Sequence, residues 1–248
     1  MKIKPFLPSS AALLLLSTPA HAVLWSAGHG DLGLEGDGGV LEFEVHVGED
    51  DPATVGGLPV SDTGYDPADI EIAVANRQQL VSTNMNLLNG IGISSGDLFS
   101  FLPNSETLSD SLGTPLLGFG LEELDSTEWG DITFTLTGVS GPGLFSVYQI
   151  DGLGDPTFFF STALGGITAD DFVTLPAGIH DDFNFAFTEE GIYDVTIQAS
   201  GTYLPAMGDL DGGLRSTSGT FTFAVVPEPS TALLGLFGGL ALLRRRRA

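Results

Sequence analysis

Phe183-Asn-Phe-Ala-Phe-Thr-Glu-Glu-Gly-Ile-Tyr-Asp-Val-Thr-Ile-Gln-Ala-Ser-Gly-Thr-Tyr-Leu204, in one-letter code FNFAFTEEGIYDVTIQASGTYL, is the stretch on which the fold turns. Phe183, Phe185 and Phe187 recur at every second residue, the period of an extended strand with one buried face. Glu189-Glu190-Gly191 breaks the run as a turn. Tyr193, Val195, Ile197 and Ala199 then resume the alternation. The pattern predicts a hairpin whose two apolar faces both look into a core.

The same grammar extends outward in both directions. WGDITFTLTGVSGPG, from Trp129, reads as a strand ended by Gly141-Pro142-Gly143. LFSVYQIDGLGDPTFFFST, from Leu144, reads as a hairpin around Asp151–Pro156. GTFTFAVV closes the run with Phe221, Phe223 and Val225 on one side. Toward the N-terminus, VLEFEVHV (Val40 to Val47) places Leu41, Phe43, Val45 and Val47 on one face and Glu42, Glu44 and His46 on the other. Ile70, Ile72 and Val74 alternate like a strand, while the residues after them could wind. Gly96 to Pro103 reads as a short strand. In LLGFGLEEL, Gly118 and Gly120 suggest a bulge or tight corner. Many short strands with turn signals at regular intervals predict an all-β domain, an antiparallel β-sandwich, over residues 23–225. No internal repeat is evident.

The two ends read differently from this body. Residues 1–22 have the form of an export signal peptide: Lys2 and Lys4, an apolar AALLLL, and the small-x-small site Ala20-His21-Ala22. At the other end, Val226-Pro227-Glu228-Pro229 precedes an apolar stretch from Thr231 to Leu243 and four arginines, Arg244 to Arg247. That stretch is shorter than the roughly 18–20 residues of a comfortable membrane span, and the arginines would hold its end on the cytoplasmic side. A tail anchor is one reading. The order of elements also resembles the PEP-CTERM sorting signal of Gram-negative bacteria over residues 226–248. That resemblance implies export, transient insertion of 231–243 in the inner membrane as a hydrophobic sorting helix, and cutting by an exosortase-type processing enzyme near the Pro227-Glu228-Pro229 motif. It implies delivery to the cell surface or extracellular matrix.

Charge narrows the partners. Of 32 acidic residues only Glu228 lies in the tail, and of eight basic ones only Arg77 and Arg215 lie between the two end segments. So acidic a body repels nucleic acid and anionic lipid and attracts cations; the acidity could also serve only to keep an exported chain soluble. There is no cysteine. The domain therefore relies on its core and not on disulfides, and thiolate zinc sites and thiol catalysis are excluded.

His29, His46 and His180 remain after signal removal, and each has an acid two residues away: Asp31, Glu44 and Asp182. On a strand, residues i and i+2 share a face roughly 6–7 Å apart, so each pair can offer an imidazole and a carboxylate to one ion. Such donors suit zinc, and also manganese or iron. Catalysis is poorly supported: there is no His-Glu-x-x-His. Paired acids such as Glu122-Glu123 and Asp170-Asp171 read as solvated turns. DGLGDP and GDLDGG have the composition of calcium loops without the EF-hand ligand pattern, which leaves calcium as a lesser alternative to zinc.

GHGDLGL (Gly28 to Leu34), the Gly-Pro-Gly hairpin and GIHDDFNFAFTEEGIYDVTIQASG resemble, in the same order, a bacterial surface-anchored domain family of the choice-of-anchor type. One PEP-CTERM branch of it is associated with zinc-responsive regulation. His29 and Asp31 match its Gly-His-x-Asp motif. Its later His-x-His, Phe-Asn-Trp motif stands here as His180-Asp181-Asp182-Phe183-Asn184-Phe185, with Asp182 for the second histidine and Phe185 for the tryptophan. The resemblance implies a β-sandwich that handles zinc, and Asp182 is the harder ligand of the two.

The expectation is thus a non-catalytic surface or matrix protein that binds a divalent metal, zinc first, through His29, Asp31, His46, His180 and Asp182. The alternative is a structural or adhesive protein of the exopolysaccharide matrix, with extracellular polysaccharide as partner and no metal site.

Overall fold

The computed structural model describes residues 22–49, 51–205 and 211–226. Residues 1–21 of the export segment, the Pro227-Glu228-Pro229 motif, the apolar stretch 231–243 and the first half of GDLDGG lie outside the described residues. Among the described residues, no helix is long and apolar enough to cross a membrane.

The chain is mostly β, arranged in two sheets. The larger has a central path β13 (Phe172–Leu175), β10 (Trp129–Ser140), β16 (Gly191–Tyr203), β17 (Gly213–Val225), β6 (Ile70–Val74), β1 (Val23–Asp37), β2 (Val40–Val47) and β5 (Thr63–Tyr65). Off this path, β9 (Pro115–Gly120) pairs with β1 and with β14 (His180–Asp182), while β3 (Ala53–Val55) pairs with β1 and with β4 (Leu58–Val60). The smaller sheet runs β12 (Pro156–Ser161), β11 (Phe145–Ile150), β15 (Asn184–Phe187), β8 (Leu98–Leu102) and β7 (Gln78–Gln79). Two short helices, α1 (Met85–Ile91) and α2 (Glu106–Leu112), each end on a left-handed glycine, Gly92 and Gly113.

Most ladders are antiparallel, but the expectation of a purely antiparallel domain is corrected. β1 runs parallel to β6 and to β9, and β17 runs parallel to β6. Each of these pairs joins strands far apart in sequence, so no tight turn dictates an antiparallel sense.

The predicted hairpin at Phe183–Tyr203 is corrected in an informative way. Its faces are right: Phe183, Phe185, Phe187, Tyr193, Val195, Ile197 and Ala199 are all fully buried. Its pairing is not. β15 bonds to β11 and β8 in the smaller sheet, while β16 bonds to β10 and β17 in the larger one. Thr188-Glu189-Glu190 therefore carries the chain from one sheet to the other. The Tyr193 hydroxyl secures that crossing by donating to the Glu189 carbonyl at 3.0 Å and accepting from the Glu189 N–H at 3.2 Å. By contrast, the hairpin predicted after Leu144 forms as β11–β12, with Ile150 opposite Pro156.

One hydrophobic cluster joins the sheets. Phe119 and Phe134 from the larger sheet pack with centroids 4.7 Å apart and rings tilted by 31°, and Phe119 also meets Phe160, Phe183 and Phe185 from the other side. Phe223 contacts Phe145, Phe185 and Phe187 in the same way. Full burial of each such ring is worth about 1.5–3 kcal/mol, so this aromatic layer is what holds two sheets together without a disulfide.

Candidate metal centre

GHGDLGL lies at a kink in β1. Up to Trp25 the strand runs beside β6, and its ladder with β3 shifts register between Trp25 and Ala27. Gly28 then takes φ +87°, and a side chain there would meet Ala53 Cα at 2.6 Å. Both facts require glycine. Gly30 has a different reason: a Cβ would lie 2.9 Å from both Trp25 and Val47. The two glycines let β1 turn and settle between β2 and β9, with His29 as the first side chain beyond the bend.

Strand register then assembles the rest. Across the row β2–β1–β9–β14, His46 lies opposite Asp31, Asp31 opposite Gly118, and Gly118 opposite Asp182. One step along, Glu44 faces Gly33, Gly33 faces Gly120, and Gly120 faces His180. Because side chains alternate, His29, Asp31, Glu44, His46, His180 and Asp182 all stand on the same face of these four strands. Leu32, Val45, Leu117 and Phe119 line the opposite face and are buried in the core. The i, i+2 spacing of each histidine–acid pair thus has the consequence expected of it.

The glycine pair of β9 is neither a bulge nor a corner. It lies within a regular strand and leaves room for acids. A Cβ on Gly120 would stand 2.7 Å from Asp31 Cβ and 3.0 Å from Glu122 Oε2, and one on Gly118 would stand 3.1 Å from Asp182 Oδ1. Glu122, read from sequence as part of a solvated turn, contacts His180 Nδ1 through its carboxylate. No spacing rule couples residues so far apart; the one hint was Gly118-x-Gly120-x-Glu122 continuing the period of the strand.

His29, His180 and Asp182 form the tightest donor set. One ligand atom from each lies within 4.8 Å of the others. His29 Nε2 is 3.3 Å from Asp182 Oδ1 and 3.8 Å from Asp31 Oδ2, and the two imidazole centroids are 5.3 Å apart. Ligands bound to zinc at about 2.0–2.2 Å stand about 3.5 Å from one another, so small side-chain rotations bring the set into coordination. Asp31 is only 5% exposed, and its Oδ1 accepts no hydrogen bond. Burial pushes its carboxyl up to about 7, against the pull of His29 and His180 and with the push of Glu122 and Asp182. Burial lowers His180, but the carboxylates of Asp31 and Glu122 outweigh that and hold it above the ordinary histidine value. A buried carboxylate with an unused oxygen, beside two imidazoles, is a site whose chemistry favours a cation. An open groove lined by Thr54, Glu106, Asp110 and Leu116 leads to His29, His180 and Asp182.

His46 is on the same face but outside this set. Its Nδ1 bonds Glu44 at 3.0 Å and its Nε2 bonds Asp62 at 3.1 Å. Burial draws its pKa down, and the two carboxylates more than restore it. The other acidic turns also resolve. Asp171 is buried and accepts from the Ser161 and Thr168 amides at 2.7 Å each, so it is a structural hub and not a solvated turn. Asp151 accepts from the amides of Leu153 and Asp155, closing the hairpin loop on itself.

Comparison with known proteins finds no protein-family model, no curated protein and no solved structure that matches the chain.

Proposed function

We propose that the protein is an exported, non-catalytic surface domain, a β-sandwich in which the antiparallel ladders predominate, that binds one divalent metal ion, zinc by preference. His29, His180 and Asp182 would hold the ion, and Asp31 would supply a fourth ligand through a carboxylate oxygen. The observation that carries this reading is the convergence of His29 and Asp182 from opposite ends of the domain beside a buried, unsatisfied Asp31 oxygen. Two imidazoles with carboxylates are a zinc-type donor set, and manganese or iron(II) would be accommodated less selectively. The signal-like ends support delivery to the surface or extracellular matrix, with an exosortase-type enzyme as processing partner. Equilibrium dialysis against zinc followed by elemental analysis tests the site. One zinc per chain is expected, lost in the His29→Ala, His180→Ala double variant; no bound zinc and an unmoved melting temperature would overturn the reading.

A second reading is a matrix protein whose acids hold polysaccharide through bridging cations. It is favoured by the run of Glu35, Asp37, Glu42 and Glu123 lining an open depression beside the centre. It would show as loss of matrix retention on deletion, with no effect from the histidine substitutions.

A further inference from the structure

We infer that the domain holds the start of its own C-terminal segment at Arg77, whose guanidinium receives the carboxylate of Glu228. The contact uses none of the residues of the His29 cluster and does not depend on the metal-binding reading.

The last described strand leads there. Val225 lies opposite Val74 on parallel β6 and opposite Gly191 on antiparallel β16, and the Val226 N–H donates to the Val74 carbonyl at 3.3 Å. Pro227 has no N–H with which to continue the ladder. Three positions on, both registers lead to one place: Arg77 beyond β6 and Thr188 before β16 stand level with position 228. These two are already joined, since Arg77 Nη2 donates to the Thr188 carbonyl at 3.4 Å. Asn76 fixes Arg77 in this notch, because its fully buried amide exchanges two hydrogen bonds with the Phe101 backbone. The two residues from Val226 to Glu228 span at most about 7 Å, so the Glu228 carboxylate is within reach of the notch.

Arg77 also has donors to spare. Its Nη1 is buried and, among the described residues, has no hydrogen-bond partner, a costly state for a guanidinium. Glu190 approaches Nε only, at 3.6 Å. Asp97, in the same open depression, accepts the Ser94 amide at 2.8 Å. Between the two end segments the only other arginine or lysine is Arg215. It lies at the far end of β17, about 33 Å from Val225 along the strand, and bonds the carbonyls of Gly39 and Leu214. Arg77 is thus the one basic group beside the emerging chain, and its planar fork matches a carboxylate. Ile93 and the half-exposed Leu98 line the depression and offer apolar contact to the prolines that flank Glu228.

Carbon-13 NMR of the full chain, labelled in glutamate, tests this by following the Glu228 carboxyl through pH. Its midpoint should lie at least about half a unit below the ordinary value of about 4.3, return to it in Arg77→Gln and stay low in Arg215→Gln. Glu228→Gln should shift the Arg77 Nε–H signal, and Glu189→Gln, which changes the remaining acid of the depression, should not. This second pair leaves Arg77 intact, so it decides the matter even if Arg77→Gln does not fold. The inference is overturned if the Glu228 midpoint is the same with and without the Arg77 charge. It is equally overturned if the Arg77 signal follows Glu189→Gln or added acetate and not Glu228→Gln, which would make another carboxylate its occupant. Zinc stoichiometry should be unchanged in every one of these variants, so failure here is distinguishable from failure of the metal-binding reading.

Discussion

His29 Nε2 and Asp182 Oδ1 lie 3.3 Å apart although β1 opens the domain and β14 comes late in it. What joins them is β9, which pairs parallel to β1 and antiparallel to β14 and places Gly118 between Asp31 and Asp182. The predictions below follow from that bridge and from the charges gathered over it.

Zinc should stabilise the fold. A ligand at a hundred times its Kd adds about 2.7 kcal/mol, which for a domain of this size is a rise of about 5–10 °C in Tm. Differential scanning fluorimetry with and without zinc checks this. The His29→Ala, His180→Ala variant should show no rise.

Gly118→Ala should damage the centre without touching a donor. The new methyl would meet the Asp181 carbonyl at 2.7 Å as well as the carboxylates of Asp31 and Asp182. The expected cost is about 1–3 kcal/mol in stability, together with a tenfold or greater loss of zinc affinity by calorimetry. Wild-type affinity in this variant would mean that the acids do not use the space over β9.

Stability without metal should fall as pH rises. Asp31 ordinarily titrates near 3.8 and in the fold near 7. A raised folded pKa gives stability that is fully present below the unfolded value and lost as pH climbs through the folded one. Glu44, pushed up mainly by burial, and His46 and His180, held up by their carboxylates, act in the same direction. Urea midpoints of the metal-free protein should therefore decline between about pH 4 and pH 8. Asp31→Asn should flatten much of that slope. Zinc affinity should move the other way and strengthen with pH, because the ion competes with protons for Asp31 and His180.

Phe119→Ala should loosen both sheets at once. Its ring contacts Phe134 on its own sheet and Phe160 and Phe185 on the other. Loss of a fully buried ring costs about 3–5 kcal/mol, and a single cooperative urea transition at lower midpoint is the expected result. Two separate transitions would show that the sheets unfold independently.

Much of the domain was legible in its residue pattern. Alternation at Leu41–Val47 and at Phe183–Ala199 identified which side chains face inward, because a strand has a strict period of two and burial follows it. The histidine–acid pairs at spacing two were legible for the same reason. What the pattern alone could not settle was which strand lies beside which. Phe187 and Tyr193 both point into the core whether their strands pair as a hairpin or sit in opposite sheets, since either arrangement buries the same faces. Only the packed aromatic layer decides for the crossing. The parallel passage of β9 beside β1, the recruitment of Glu122 and the separation of His46 from the His29 cluster depend equally on long-range register. The sequence by itself determined an acidic all-β chain with paired donors on strand faces. The tertiary structure decided that two of those pairs meet over Gly118, because that contact is made by backbone hydrogen bonds between strands the chain order does not place together.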